Sequence, residues 1–80
     1  EADFRGIDLS DFTITQCRFF KVDLKDVNFS NAVITGSDFK LAKNLTVAQI
    51  KSTWNYKHNQ MDKIILPKDI QDELDKEKKK

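Results

Sequence analysis

A large apolar residue recurs at every fifth position through the first half of the chain: Phe4, Leu9, Ile14, Phe19, Leu24, Phe29, Ile34 and Phe39. Given the chain's share of Phe, Leu and Ile and five possible frames, eight hits in a row have odds on the order of one in ten thousand or lower. On an α-helix, five steps of about 100° carry the stripe some 140° past a full turn, so it smears around the axis. A straight strand fails as well, because five is odd and successive large residues would point to opposite faces. The spacing is satisfied by a chain that turns a corner toward the same side once per unit. Four such corners close a coil of about twenty residues, because units of five then meet on four sides.

Two positions before each large residue runs a second, mostly smaller series: Ala2, Ile7, Phe12, Cys17, Val22, Val27, Ala32 and Ser37, apolar except for Ser37. Between the two series lie Asp3, Asp8, Thr13, Arg18, Asp23, Asn28, Val33 and Asp38. Units such as Ala2-Asp3-Phe4-Arg5-Gly6, Val22-Asp23-Leu24-Lys25-Asp26 and Ser37-Asp38-Phe39-Lys40-Leu41 resemble the pentapeptide-repeat family. That resemblance covers residues 2 to about 41. It implies a mainly β fold, a right-handed quadrilateral parallel β-helix of about two coils, with the large residue and the one two before it turned inward. Ile7 and Phe12 are bulkier than the family pattern, and Thr13, Arg18 and Val33 replace its Asp or Asn.

Residues twenty apart are then expected to stack: Phe4 on Leu24, Leu9 on Phe29, Ile14 on Ile34 and Phe19 on Phe39. In the small series, oversized Phe12 meets undersized Ala32, a compensation of volume that a close-packed interior requires.

After Leu41 the frame fails, since the next large-residue position is Asn44. Thr46 followed by Gln49 reads as a capping box, with Leu45 placed to staple against Ile50. A helix is predicted over about 47–60, with Val47, Ile50, Trp54 and Met61 on one face; Leu45, Ile50 and Trp54 are the residues expected to pack against the last coil. The run Ile64-Ile65-Leu66 reads as extended and buried, and Pro67 suits the first turn of a further short helix carrying Ile70 and Leu74. The expected organisation is repeat coils over 1–44, one or two C-terminal α-helices forming a cap over 45–75, and a solvated lysine-rich tail over 76–80. Such a cap has a physical motive, because a bare terminal coil exposes sheet edges and apolar rungs.

Catalysis needs a nucleophile with a base, paired carboxylates or a metal, and the pattern gathers none of these. Asp3, Asp8, Asp23 and Asp38 recur with the repeat and read as corner residues bonding their own backbone. Cys17 falls on an inward position and reads as an inert filler. It cannot form an intrachain disulfide, and with His58 it is too little for a zinc site. Trp54, Tyr56 and His58 read as a packing face rather than a cofactor site. No catalytic, cofactor-binding or metal-binding residue is therefore assigned, and no enzyme activity or cofactor is expected.

The chain of 80 residues has a formal net charge of +1, which gives no strong field for nucleic acid or an acidic membrane. The repeat family includes acidic rods that act on DNA gyrase by mimicking duplex DNA. Here residues 1–45 carry seven acids against six bases, a poor mimic. Gyrase interaction is the alternative reading. The favoured one is a non-enzymatic structural or protein-interaction module at the C-terminal end of a longer solenoid, presenting Phe20, Lys21, Lys25 and Lys40 to an unknown protein partner. No nucleic-acid or membrane partner is expected, a reducing, cytoplasmic setting is favoured, and self-association through the uncapped N-terminal coil is anticipated.

Overall fold

The computed structural model describes residues 3–78, so Ala2 of the small series and residues 79 and 80 of the tail lie outside the described residues. The repeats form a parallel β-helix in which an upper row, residues 3–21, lies on a lower row, residues 22–41. Bridges join residues twenty apart, Asp3 to Asp23, Asp8 to Asn28, Thr13 to Val33 and Arg18 to Asp38. A corner follows each large residue, closed by bonds such as Ile7 N–H to the Phe4 carbonyl and Ala32 N–H to the Phe29 carbonyl. The fifth residue of seven units has a positive φ: Gly6, Asp11, Gln16, Lys21, Asp26, Asn31 and Gly36. A single left-handed residue at the third turn position is the signature of a type II turn. Gly36 suits that position twice over, since a Cβ there would also press on Gln16 at 3.3 Å.

The corners are reinforced from the polar position. Asp3, Asp8, Asp23, Asn28 and Asp38 each accept a bond from the main-chain N–H two residues on, at 2.9–3.1 Å. The corner after Ile14 works differently. Ser37, the polar exception in the small series, donates its hydroxyl to the Ile14 carbonyl at 2.6 Å and accepts from Cys17 N–H at 3.2 Å, relaying the turn bond from the row below.

The corner every five residues leaves too few residues per side for extended strands, so each side pairs through a single bridge. The expected mainly β fold is corrected accordingly, since the pairing consists of isolated bridges. Pairing also reaches Lys43, which bridges Asp23, and Ile65, which bridges Asp38. The predicted helix over 47–60 is two short ones, α1 (Val47–Lys51) and α2 (Trp54–Lys57), and a third, α3, spans Lys68–Lys78. Helix α3 therefore continues through the start of the segment expected to be a solvated tail. Its Ile70 and Leu74 are buried, and the Lys51–Glu77 ion pair ties it to α1.

The break between α1 and α2 has a physical reason, found in the unpaired carbonyls of the lower row. Val22 C=O accepts from Lys43 N–H, Ala32 C=O from Trp54 N–H and Ser37 C=O from Ile65 N–H, at 2.8, 2.9 and 3.1 Å. Val27 C=O takes the Gln49 side-chain amide at 3.0 Å, and that amide also reaches Leu24 C=O at 2.8 Å. Ser52 C=O accepts from Asn31 N–H at 2.8 Å. A continuous helix would bond Ser52 and Trp54 to itself, so the segment opens there and restarts with Thr53 as N-cap, its hydroxyl accepting from Tyr56 N–H.

The core centres on the lower row and the segment beneath it, joined by Phe19 of the upper row. Phe19, Leu24, Phe29, Ile34 and Phe39 are buried with Ile50, Ile64, Leu66, Ile70 and Leu74. Phe19 stacks on Phe39 with centroids 4.6 Å apart and planes 4° from parallel. Phe4, Leu9 and Ile14 are half-buried, covered from below. In the small series, Ala32 is fully buried but Ile7 and Phe12 are exposed at 41% and 58%.

Candidate interaction surface

The fourth side of the β-helix, residues 17–21 above 37–41, carries exposed apolar side chains beside charged ones. Arg18 and Asp38 stand above Ile65 in a bridged column, and Ile65 is 48% exposed. Beside that column, Phe20 is 58% exposed and Leu41 54%. Arg18, Phe20, Asp38, Lys40 and Leu41 line one shallow hollow. The Lys21 ammonium lies 5.3 Å from the centre of the Phe20 ring.

Local backbone chemistry places these side chains. Leu41 is the fifth residue of its unit yet lacks the positive φ of the other seven corners, a conformation that costs a branched side chain about 1 kcal/mol or more. Its turn still closes, with Ala42 N–H bonded to the Phe39 carbonyl, but Lys21 N–H then meets the Leu41 carbonyl rather than that of Lys40. The strand step at Ile65 buries Ile64 and Leu66 and turns Ile65 out, as alternation along a strand demands. The expectation that all three residues of that run are buried is thus corrected at Ile65.

Of the residues assigned to C-terminal packing, Ile50 is fully buried and Leu45 is half-buried against the core. Trp54 is half-buried, its ring stacked on His58 with centroids 4.6 Å apart; its main-chain N–H, rather than its indole, engages the lower row. The buried residue there is Asn55. Its Oδ1 accepts from Ile34 N–H at 2.7 Å, and its Nδ2 donates to Thr35 Oγ1 and the Gln60 carbonyl, both at 2.9 Å. The side-chain carbonyl thus occupies the place of a main-chain one in the missing next row. A lone Asn in an amphipathic stretch reads as solvent-facing, and nothing in the spacing singles it out.

Cys17, expected to be an inward filler, is exposed, its thiol 3.6 Å from the Thr15 carbonyl. It lies on the open face of the upper row with Phe4, Leu9, Ile14 and Phe19, because nothing in the described residues stacks above it. Electrostatics concentrate at the corners. A side-chain bond from Arg5, backed by the Arg5 amide, holds Asp3 down at about 2, and bonds from Asn44 and the Lys25 amide lower Asp23. These are structural carboxylates bonded to nearby donors at the surface rather than an acid–base couple. Among the described residues no three of His, Cys, Asp and Glu gather as a metal site, and no helix is long and apolar enough to cross a membrane.

Parallel pairing at twenty-residue spacing, a corner per five residues and inward large side chains define a solenoid of five-residue units. The pentapeptide-repeats family model matches eight copies over residues 1–40, half of the chain, and the chain belongs to that family. Searches among curated proteins and among solved structures returned no match.

Proposed function

We propose that the chain is a non-enzymatic protein-interaction module: about two coils of pentapeptide β-helix, closed below by a C-terminal helical cap, holding one side out to a protein partner. The observation that carries this reading is the grouping of Phe20, Leu41 and Ile65, three large apolar side chains each about half exposed, on the same side of the solenoid. Water disfavours such exposure, and contiguous exposed apolar groups rimmed by polar ones mark interaction sites. The cap reading is supported by the pairing of the lower-row carbonyls at Val22, Val27, Ala32 and Ser37 by residues 43–65. Unmet, that edge would recruit another strand. The rigid rows supply what a recognition surface requires, side chains fixed in place before binding.

A photo-crosslinking residue at position 41, compared with one at position 8 on another side, tests the reading in cells that make the protein. The expected result is a protein adduct from position 41 alone, abolished by competing folded chain but not by its Phe20→Ser variant. Equal labelling from both positions counts against an interaction role for this side.

A further inference from the structure

The chemistry of the exposed side also specifies what it takes, if the interaction reading above holds. We propose that the surface of Phe20, Leu41 and Ile65, ringed by Arg18, Lys21 and Lys40, docks a short acidic segment of a partner protein in which large apolar side chains alternate with Asp or Glu. Rows of the β-helix are about 4.8 Å apart. The column from Arg18 through Asp38 to Ile65 therefore spans only two such steps. That extent suits a few residues of a segment rather than a broad globular face.

Three cations stand on this patch. Arg18 and Lys40 make no ion pair among the described residues, and Lys21 is held over the Phe20 ring. The one carboxylate lining the hollow, that of Asp38, already accepts from the Lys40 main-chain N–H at 2.9 Å. The local balance is thus positive around an apolar centre, although the chain as a whole is nearly neutral. Carboxylates of a partner gain Arg18 as a planar, two-pronged donor and Lys40 as a point charge, while apolar side chains cover Phe20, Leu41 and Ile65. A nucleic-acid strand fits less well. Leu41 and Ile65 offer no stacking platform, Phe20 already carries a lysine over its ring, and Asp38 lies in the path of a phosphate chain.

The test is selection of a random twelve-residue phage-displayed peptide library on the folded 80-residue chain, followed by binding of the enriched synthetic peptides. Enriched peptides should combine acidic with large apolar residues. Their binding should fall about tenfold or more with Phe20→Ser, fall similarly with Arg18→Glu combined with Lys40→Glu, and weaken as salt rises from 0.05 to 0.5 M. Phe12→Ser, at an exposed position on another side of the upper row, should leave it unchanged. Circular dichroism accompanies each variant, and if Phe20→Ser does not fold, Leu41→Ser takes its place. Neutral or basic peptides that still depend on Phe20 overturn the acidic specificity and leave the interaction module standing. Peptides sensitive to Phe12→Ser instead overturn this site. An unstructured single-stranded oligonucleotide that binds through Phe20 overturns the protein partner, and the absence of any enriched peptide overturns the proposal and the module reading together.

Discussion

Replacing Asn55 with alanine should be among the more damaging single changes in the C-terminal segment. Asn55 is fully buried and makes three side-chain bonds, of which the one from Ile34 N–H matters most because Ile34 is itself fully buried. Thr35 and Gln60 are exposed and can turn to water when the amide is lost. A stranded buried amide costs about 1–3 kcal/mol. The unfilled space beneath the lower row adds about 1 kcal/mol, so the total is about 2–4 kcal/mol. A domain of this length has about 4–12 kcal/mol of stability in all, so the loss is a large fraction. Urea unfolding followed by far-UV circular dichroism measures it, with Gln60→Ala as the control, since Gln60 contributes its main-chain carbonyl and should cost within about 0.5 kcal/mol. The isosteric Asn55→Asp sharpens the test. A carboxylate accepts from Ile34 but cannot donate to Thr35 or Gln60, so it is a buried charge at neutral pH. Burial raises such a carboxyl above its ordinary range, so it takes up its proton before pH 4 is reached and its deficit against the parent chain should shrink as the pH falls from neutral toward about 4. A loss under about 0.5 kcal/mol for Asn55→Ala would refute the role given to this side chain.

Acid should loosen the corners. The carboxyls of Asp3, Asp8 and Asp23 are depressed in the folded chain, so their contribution is present above the ordinary carboxyl range near pH 4 and is lost as pH falls toward about 2, where Asp3 titrates. Thermal melts from pH 5 to pH 2 should show falling stability, and Asp23→Asn should flatten that fall. Gln49→Ala removes both the capping-box bond to Thr46 N–H and the amide bonds to Leu24 and Val27, and a loss of about 1–3 kcal/mol in urea unfolding is expected. Ser37→Ala should cost under about 1.5 kcal/mol, because Cys17 N–H and the Ile14 carbonyl can close their turn directly as at the other corners; retained amide-exchange protection at Cys17 in the variant would report that closure. In far-UV circular dichroism the helices should outweigh the β signal, since the pairing consists of single bridges.

The sequence by itself determined the winding of the chain. A five-residue period admits neither helix nor straight strand, and polar residues such as Asp8 and Asp23 bond to their own backbone within the unit that carries them. Both are local constraints, repeated until they are unambiguous. Phe20, Lys21 and Lys40 were legible as outward residues for the same reason, since the period assigns each position a direction. Leu41 was harder, because its outward turn depends on a corner that departs from the other seven. Ile65 escaped the pattern altogether, since it stacks on Asp38 across a segment that does not keep the period. Only the tertiary structure decided how the lower edge is met. Lys43, the Gln49 amide, Trp54 N–H, the Asn55 amide and Ile65 satisfy it one side at a time, and each does so through a contact long in sequence and made by a backbone or side-chain polar group. Such bonds carry no periodic or apolar signature. The open edge demands partners but leaves their identity to whichever residues the returning chain brings beneath it.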